Sequence, residues 1–340
     1  MQGIDTDRVS SWLETNVADA IPPFHFTLIA GGRSNLTYAV TGAGGERYVL
    51  RRPPLGHVLA TAHDMAREHR IVEAVGRTPV PVPPVLGLCT DCDVIGAPFY
   101  VMGFVDGVVL DGVERADELP LAVRPRVAEH LIDVLADLHA VDVDAVGLGD
   151  LAKREGYIER QVKRWSTQWE QSKTRELPAI DEVAKRLRDR VPTQQAVSIV
   201  HGDYRFGNCL VDVRAGRINA VLDWELCTLG DPLADVGYLG VYWFDGTAET
   251  ARPNDPTPAG GFPPYSAVLE RYARSTGRDL SEIGYYIAFG CWRLAVISEG
   301  VYARYLNGAM GDDSGVDVTA FKLATESLAE RAVAAFRYLP

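Results

Sequence analysis

The stretch His201-Gly202-Asp203-Tyr204-Arg205-Phe206-Gly207-Asn208 sets a histidine, a carboxylate and an amide at H-x-D-x-x-x-x-N spacing, directly before the apolar run Cys209-Leu210-Val211. A second apolar run, Ala220-Val221-Leu222, ends in Asp223-Trp224-Glu225. A loop Asp and Asn joined by an Asp at a strand end is the set that phosphoryl transfer from a Mg²⁺-bound nucleotide requires. One carboxylate takes the proton of the attacking hydroxyl, while an amide oxygen and a second carboxylate serve as hard ligands for Mg²⁺. The Asp-to-Asn spacing equals that of the kinase loop H-R-D-x-x-x-x-N, and D-W-E stands where D-F-G would follow. Asp and Asn are also ordinary turn residues. The addition of Asp223 at the end of the next strand is what favours chemistry over a plain polar turn.

The rest of such a site should lie upstream. Ala30-Gly31-Gly32-Arg33-Ser34-Asn35-Leu36-Thr37 falls between two strand patterns, where a phosphate-covering loop belongs, with Gly32 and Ser34 as its candidate contacts. A Gly-Gly turn alone is an ordinary hairpin signal. Tyr48-Val49-Leu50-Arg51 stands where V-A-I-K would place a lysine. Arg51 replaces that lysine, keeping the positive charge and adding a bidentate grip on phosphate. Glu68, in the helix pattern MAREHRIVEAV, is its natural partner. Met102, Gly103 and Val105 lie on the segment expected to face the adenine through backbone groups.

The elements that must position these residues divide the chain in two. Residues 5–18 show an amphipathic helix period, Phe24 to Tyr38 and Arg47 to Arg51 alternate as strands, and Ala62 to Gly76 read as a helix. The Pro-rich 78–85 leads into a hairpin around Cys89–Cys92 that finishes at Phe99-Tyr100-Val101-Met102. Beyond Asp106-Gly107 helical periods dominate, at 122–140, 153–172, 178–190, 265–276, 281–307 and 317–338. Short strand runs remain at Ser198-Ile199-Val200, Cys209-Leu210-Val211 and Ile218 to Leu222. The style changes near 103–107, which predicts a β-rich N-terminal lobe over 1–103 and a helical C-terminal lobe over 104–340. Residues 247–264, rich in Pro and Gly, read as a loop.

Composition narrows the classes. The 340 residues are 47% hydrophobic and 24% charged, with a net charge of −12, an ordinary globular balance. That acidity argues against general nucleic-acid or membrane-surface binding, which needs a basic face, yet allows a small anion in a locally basic pocket. The N-terminus has no secretory signal pattern, and no apolar run approaches the length of a membrane span. Five scattered cysteines suit reduced thiols in a cytoplasm. Cys89-Thr90-Asp91-Cys92 is half of a zinc signature and reads as a hairpin turn. The P-loop, G-x-S-x-G and H-E-x-x-H patterns are all missing, so P-loop NTPase, serine hydrolase and zincin readings have no support. His201 and Asp203, two apart in a loop, need not face each other, and His201 reads as structural.

HGDYRFGN, AVLDWE and GDPLADVGY together resemble the aminoglycoside phosphotransferase family of small-molecule kinases. FYVMGFVDG, Arg51-Arg52-Pro53-Pro54 and YIERQVKRWSTQWE are similar to a branch of it, the kinase-like domains fused to some acyl-CoA dehydrogenases. The resemblance covers residues 20–335. It implies an α+β, protein-kinase-like two-lobe fold, with ATP and Mg²⁺ as donor and cofactor. It implies Asp203 as catalytic base, Asn208 and Asp223 as metal ligands, Arg51 and Glu68 as the phosphate-positioning pair, and Asp235 as a brace of the catalytic loop. Gly202 stands where protein kinases carry the Arg that reads activation-loop phosphate. Seven residues separate Asp223 from Asp231, too few for a long regulatory loop. Both features favour a small-molecule kinase over a protein kinase.

The acceptor is expected to be a small hydroxyl compound bound against the C-lobe helices, a hydroxyacyl-CoA or related metabolite, with an aminoglycoside as the alternative. Trp165 and Trp169, one turn apart, could stack on it or simply pack. Glu299 could catch a cation, and Arg293 or Arg304 an anion, on a helix face otherwise expected to be solvated, as is Tyr302. The rival from another class is a nucleotide-binding module with little catalysis, prompted by Arg51 and the imperfect Gly loop.

Overall fold

In a computed structural model the described residues are 3–30, 35–55, 64–247, 252–308 and 317–336. Gly32 and Ser34 lie outside them, as do Gly31 and Arg33.

The N-terminal part is built on one antiparallel sheet. Helix α1 (Thr6–Asn16) is followed by β1 (His25–Ala30), β2 (Leu36–Thr41) and β3 (Arg47–Arg52), then helix α2 (Met65–Val75) and the pair β4 (Val85–Cys89) and β5 (Phe99–Gly103). The strand order is β1-β2-β3-β5-β4. Strand side chains alternate between faces, and this sheet uses both. Tyr48, Leu50, Phe99 and Val101 pack with Val9 and Leu13 of α1. Val49, Arg51, Tyr100 and Met102 point the other way, toward the cleft. The register pairs Val49 with Met102 and Arg51 with Tyr100, so the two central strands bring these four side chains together. Asp64 caps α2 by accepting from Arg67 N at 3.0 Å. The buried positions Met65, Glu68, Ile71, Val72 and Val75 fall at helical spacing on the face turned to β4 and β5.

The chain then runs through β6 (Val108–Val109) and α3 (Val113–Ala116) into the helical part: α4 (Arg124–Ala140), α5 (Tyr157–Ser172) and α6 (Pro178–Asp189). Strands β7 (Ser198–Val200), β8 (Cys209–Asp212), β9 (Arg217–Val221) and β10 (Thr228–Gly230) follow, and then α7 (Leu233–Val241), α8 (Tyr265–Thr276), α9 (Ile283–Leu306) and α10 (Val318–Ala335). Strands β6, β8 and β9 form a small sheet, and β7 pairs with β10. The two helical and sheet-based parts make the expected α+β, kinase-like arrangement.

Helix α7 is absent from the sequence expectations, and its composition explains why. All nine of its residues are buried and only Asp235 is charged, so it shows no amphipathic period. It crosses α9 closely enough that a Cβ on Gly237 would lie 2.4 Å from the backbone carbon of Tyr286. Strands β6 and β10, two and three residues long, are too short to carry a pattern.

Two surface expectations are corrected. Glu299 is not on a solvated face; it is fully buried, and its carboxylate accepts from Arg175 Nη1 at 2.9 Å and Thr174 N at 2.9 Å. Arg293 on the same helix is also buried. Trp169 is buried and donates to Asp181 Oδ1 at 3.2 Å, while Trp165 packs on the same core, so the pair serves packing. Cys89 ends β4 buried and Cys92 is exposed, both as free thiols.

Replacing an interior helical Gly by Ala normally stabilises a helix. Gly237→Ala should do the opposite and lower the unfolding free energy by about 1–3 kcal/mol through overpacking. Chemical denaturation measures it; unchanged or raised stability would contradict the close α7–α9 crossing.

Candidate active site

The loop between β7 and β8 carries the motif, and one buried carboxylate fixes its shape. Asp235, in the first turn of α7, accepts from His201 N at 2.7 Å and from Gly202 N at 2.8 Å. Gly202 has φ 85°, and a Cβ there would meet Leu226 O at 2.9 Å, so the tight turn requires glycine. Burial opposes the Asp235 charge, but hydrogen bonding from His139, with Gly202 N–H, outweighs it and depresses its pKa. Burial pushes the His139 pKa down. The His201 ring locks the loop to the next strand: Nδ1 accepts from Asp203 N at 3.2 Å, and Nε2 donates to Leu222 O at 2.9 Å. His201 is therefore bonded on both ring nitrogens and fully buried, the structural position expected of it.

From this frame Asp203 and Asn208 face each other. Asn208 Nδ2 donates to Asp203 Oδ2 at 2.7 Å and to Asp203 O at 2.8 Å. Both amide hydrogens are thus directed at Asp203, which leaves Asn208 Oδ1 as the atom able to take a cation. Asp203 Oδ1 has no hydrogen-bond partner, and Arg205 Nε stands 3.5 Å from it. Leu222 N donates to Asn208 O at 2.8 Å, tying the loop to the strand end. Asp223 follows with φ 64° and ψ 62°, a left-handed conformation uncommon outside glycine. Its side chain is 31% exposed, the most open of the ion-paired carboxylates around Arg51.

Arg51 spans the cleft. Its Nε lies 3.0 Å from Glu68 Oε1, its Nη2 2.5 Å from Asp223 Oδ1 and 3.9 Å from Glu225 Oε2. Tyr100 donates to Glu68 Oε1 at 3.2 Å. Burial works against the Arg51 charge, and the carboxylates of Glu68 and Asp223 more than offset it, so its pKa is raised. Burial pushes the Glu68 carboxyl up, with Arg51 pulling the other way. Asn35 Nδ2 donates to Glu225 Oε2 at 3.3 Å, joining β2 to the D-W-E turn. Asn35 and Glu225 were not singled out from sequence; the third residue of D-W-E was the signal for the latter.

Beside this network lies a cavity of about 340 Å³, within the range of small-ligand sites. Val49, Met102, Val72, Leu210 and Val221 form its apolar walls, and Arg51, Asn208 and Asp223 stand at its polar end. Met102, Gly103 and Val105 line it. Gly103 N–H, however, is already bonded to Pro84 O at 2.8 Å and Phe104 N–H to Arg47 O at 3.1 Å. Val105 N–H and C=O carry no protein partner among the described residues. Among those residues no group of three or more His, Cys, Asp or Glu could hold a metal alone. One amide oxygen and one carboxylate fit an ion that arrives with phosphate oxygens, the usual Mg²⁺ arrangement.

Comparison with known proteins agrees with this geometry. Residues 25–272 match the phosphotransferase enzyme family, and the chain belongs to that family. It is 36% identical to mouse acyl-CoA dehydrogenase family member 10 over 315 residues, 88% of this chain but 28% of that protein. The chain spans less than two fifths of the curated relatives it matches. A solved Ralstonia eutropha JMP134 protein, provisionally named an aminoglycoside phosphotransferase, superposes with a TM-score of 0.81 at 32% identity, covering 97% of this chain and 98% of that one. Aminoglycoside 2'-phosphotransferase-IIIa, solved with GDP, shares the fold with a TM-score of 0.62 at 15% identity over 97% and 99% of the two chains. No helix among the described residues is long and apolar enough to cross a membrane.

Asp235→Asn should cost about 2–4 kcal/mol at neutral pH, because an amide presents a donor to one of the two loop N–H groups. The Asp235 pKa is depressed on folding, so the wild-type advantage is complete above the ordinary carboxylate pKa and fades as pH falls toward the folded value. Thermal unfolding of both proteins from pH 8 to pH 3 checks this; equal stability at neutral pH would contradict the brace.

Proposed function

We propose that the chain is an ATP-dependent kinase that moves the γ-phosphoryl group to a hydroxyl of a small molecule. The observation that carries this reading is the convergence of Asn208, Asp223 and Arg51 at the polar end of one apolar cavity, with Asp203 hydrogen-bonded to Asn208 beside it. The adenine would occupy that cavity against Val49 and Met102, with the backbone of Val105 as its hydrogen-bonding edge. Arg51, held by Glu68, would turn from Asp223 to the phosphates. Asn208 Oδ1 and Asp223 would hold Mg²⁺, which when bound offsets phosphate charge. We keep the lobe division at 103/104, with the nucleotide between the lobes.

Asp203 would orient the acceptor hydroxyl and take its proton as the acceptor oxygen bonds to the γ-phosphorus. The bond from that phosphorus to the β–γ bridging oxygen breaks, and ADP leaves with its electron pair. The Asn208 hydrogen bond fixes Asp203 Oδ2 and leaves Oδ1 for the proton. The lack of an Arg at position 202 and the short 224–230 connection support a small acceptor over a protein.

Asp203→Asn keeps shape and removes the base, so turnover should fall roughly 10²- to 10⁴-fold with nucleotide affinity little changed. Steady-state kinetics and calorimetry on the same variant decide it; equal turnover sinks the mechanism, and lost nucleotide binding makes Asp203 a ligand or a brace instead. Arg51→Ala should weaken Mg·ATP binding and Arg51→Lys should restore part of it. Normal binding in the Ala variant would remove Arg51 from the nucleotide site.

A further inference from the structure

Two arginines, Arg205 and Arg293, stand close to Asp203 in a chain of net charge −12. Arg205 lies over the Tyr242 ring at 5.0 Å, and Arg293 lies over the Tyr238 ring at 4.3 Å. Both tyrosines belong to the end of α7, so both guanidinium groups stand on the helical side of the loop. Neither arginine lines the apolar cavity. Arg293 is buried and donates to Gly202 O, the loop carbonyl just before Asp203, but its Nε has no partner. Arg205 Nε and Nη1 are buried without a hydrogen-bond partner. Among the described residues the only carboxylate within 4.0 Å of Arg205 is Asp203, and Arg293 has none. Arg252, also near Tyr242, leaves a buried Nε unpartnered.

Burying guanidinium groups without counter-charges is costly unless something supplies them. Asp203, already committed to Asn208 through Oδ2, and the more distant Asp223, itself paired with Arg51, leave the two arginines short of counter-charge. Resting on the phosphotransferase reading, we infer that the acceptor is an anion: a hydroxyl compound whose carboxylate or phosphate pairs with Arg205 and is backed by Arg293. Planar guanidinium donors match such oxyanions in bidentate fashion. Arg205 covers Asp203 Oδ1. An acceptor anion would draw Arg205 onto itself and expose that oxygen to the hydroxyl proton, so recognition and activation of the base would be one event. A polycationic acceptor would meet the same arginines as repulsion.

The test is a phosphoryl-transfer assay with Mg·ATP over a library of hydroxyl compounds graded by charge. It includes the matched set 3-hydroxypropionate, 3-hydroxypropanamide and 3-amino-1-propanol, the pair glycerol 3-phosphate and glycerol, larger hydroxycarboxylates, and aminoglycosides. Anionic acceptors should exceed their neutral counterparts in kcat/KM by about ten- to hundredfold, the range of one charge-assisted contact, and cationic ones should be poorest. The carboxylate and phosphate arms separate the two anions. Arg205→Gln should remove most of the preference and Arg205→Lys should keep part of it; an equal loss for charged and neutral acceptors would make Arg205 merely structural and overturn the inference. Neutral or cationic acceptors used as well as anionic ones by the wild type would overturn it without touching the kinase reading. No transfer to any member, with nucleotide binding intact, would instead remove the kinase reading, and this inference with it.

Discussion

A single buried carboxylate holds the loop that the rest of the site depends on. Asp235 receives the N–H groups of His201 and Gly202 and is itself bonded by His139. Backbone donors in a tight turn cannot pair with one another, so an ion from α7 completes them. Once that turn is fixed, His201 can reach Leu222 O, Asn208 can face Asp203, and Asp223 can stand at the strand end in its left-handed conformation. The apolar surroundings of α7 strengthen these hydrogen bonds and make each one hard to lose.

The charges form two groups. Glu68, Asp223 and Glu225 surround Arg51, while Asp203 sits beside Arg205 and Arg293. Burial lowers the Arg205 and Arg293 pKa values, and neighbours including Asp203 and the tyrosines of α7 more than compensate. Both guanidinium groups are thus held charged, Arg205 beside the Asp203 carboxylate it would release. A nucleotide phosphate on one side and an acceptor anion on the other would exchange these internal pairs for ligand pairs, so little new organisation is needed at binding.

Much of this was legible in the sequence because the signals are local. The spacing of Asp203, Asn208 and Asp223, the Arg51 strand and the Glu68 helix were all readable, and the long amphipathic helices fell within a few residues of their expected bounds. What was hidden depends on tertiary packing. Helix α7 has no polar face to give it a period. Glu299 looked like a surface residue because nothing local reveals that Arg175, between α5 and α6, comes to neutralise it. Arg205 sits inside the motif, yet its lack of hydrogen-bond partners exists only in three dimensions. Gly103 was expected to face the adenine through backbone groups; the bond that takes up its N–H, to Pro84 O, follows from the β4–β5 register, which no spacing rule predicts.

The central claim is direct transfer of the γ-phosphoryl group to a hydroxyl deprotonated at Asp203. The most direct measurement follows the acceptor oxygen. An acceptor carrying ¹⁸O in its hydroxyl is incubated with the protein and Mg·ATP, and the products are read by mass spectrometry and ³¹P NMR. The account predicts ADP and a phosphate ester that keeps the ¹⁸O in its C–O–P bridge. An unlabelled ester, or ADP with inorganic phosphate and untouched acceptor, would contradict it.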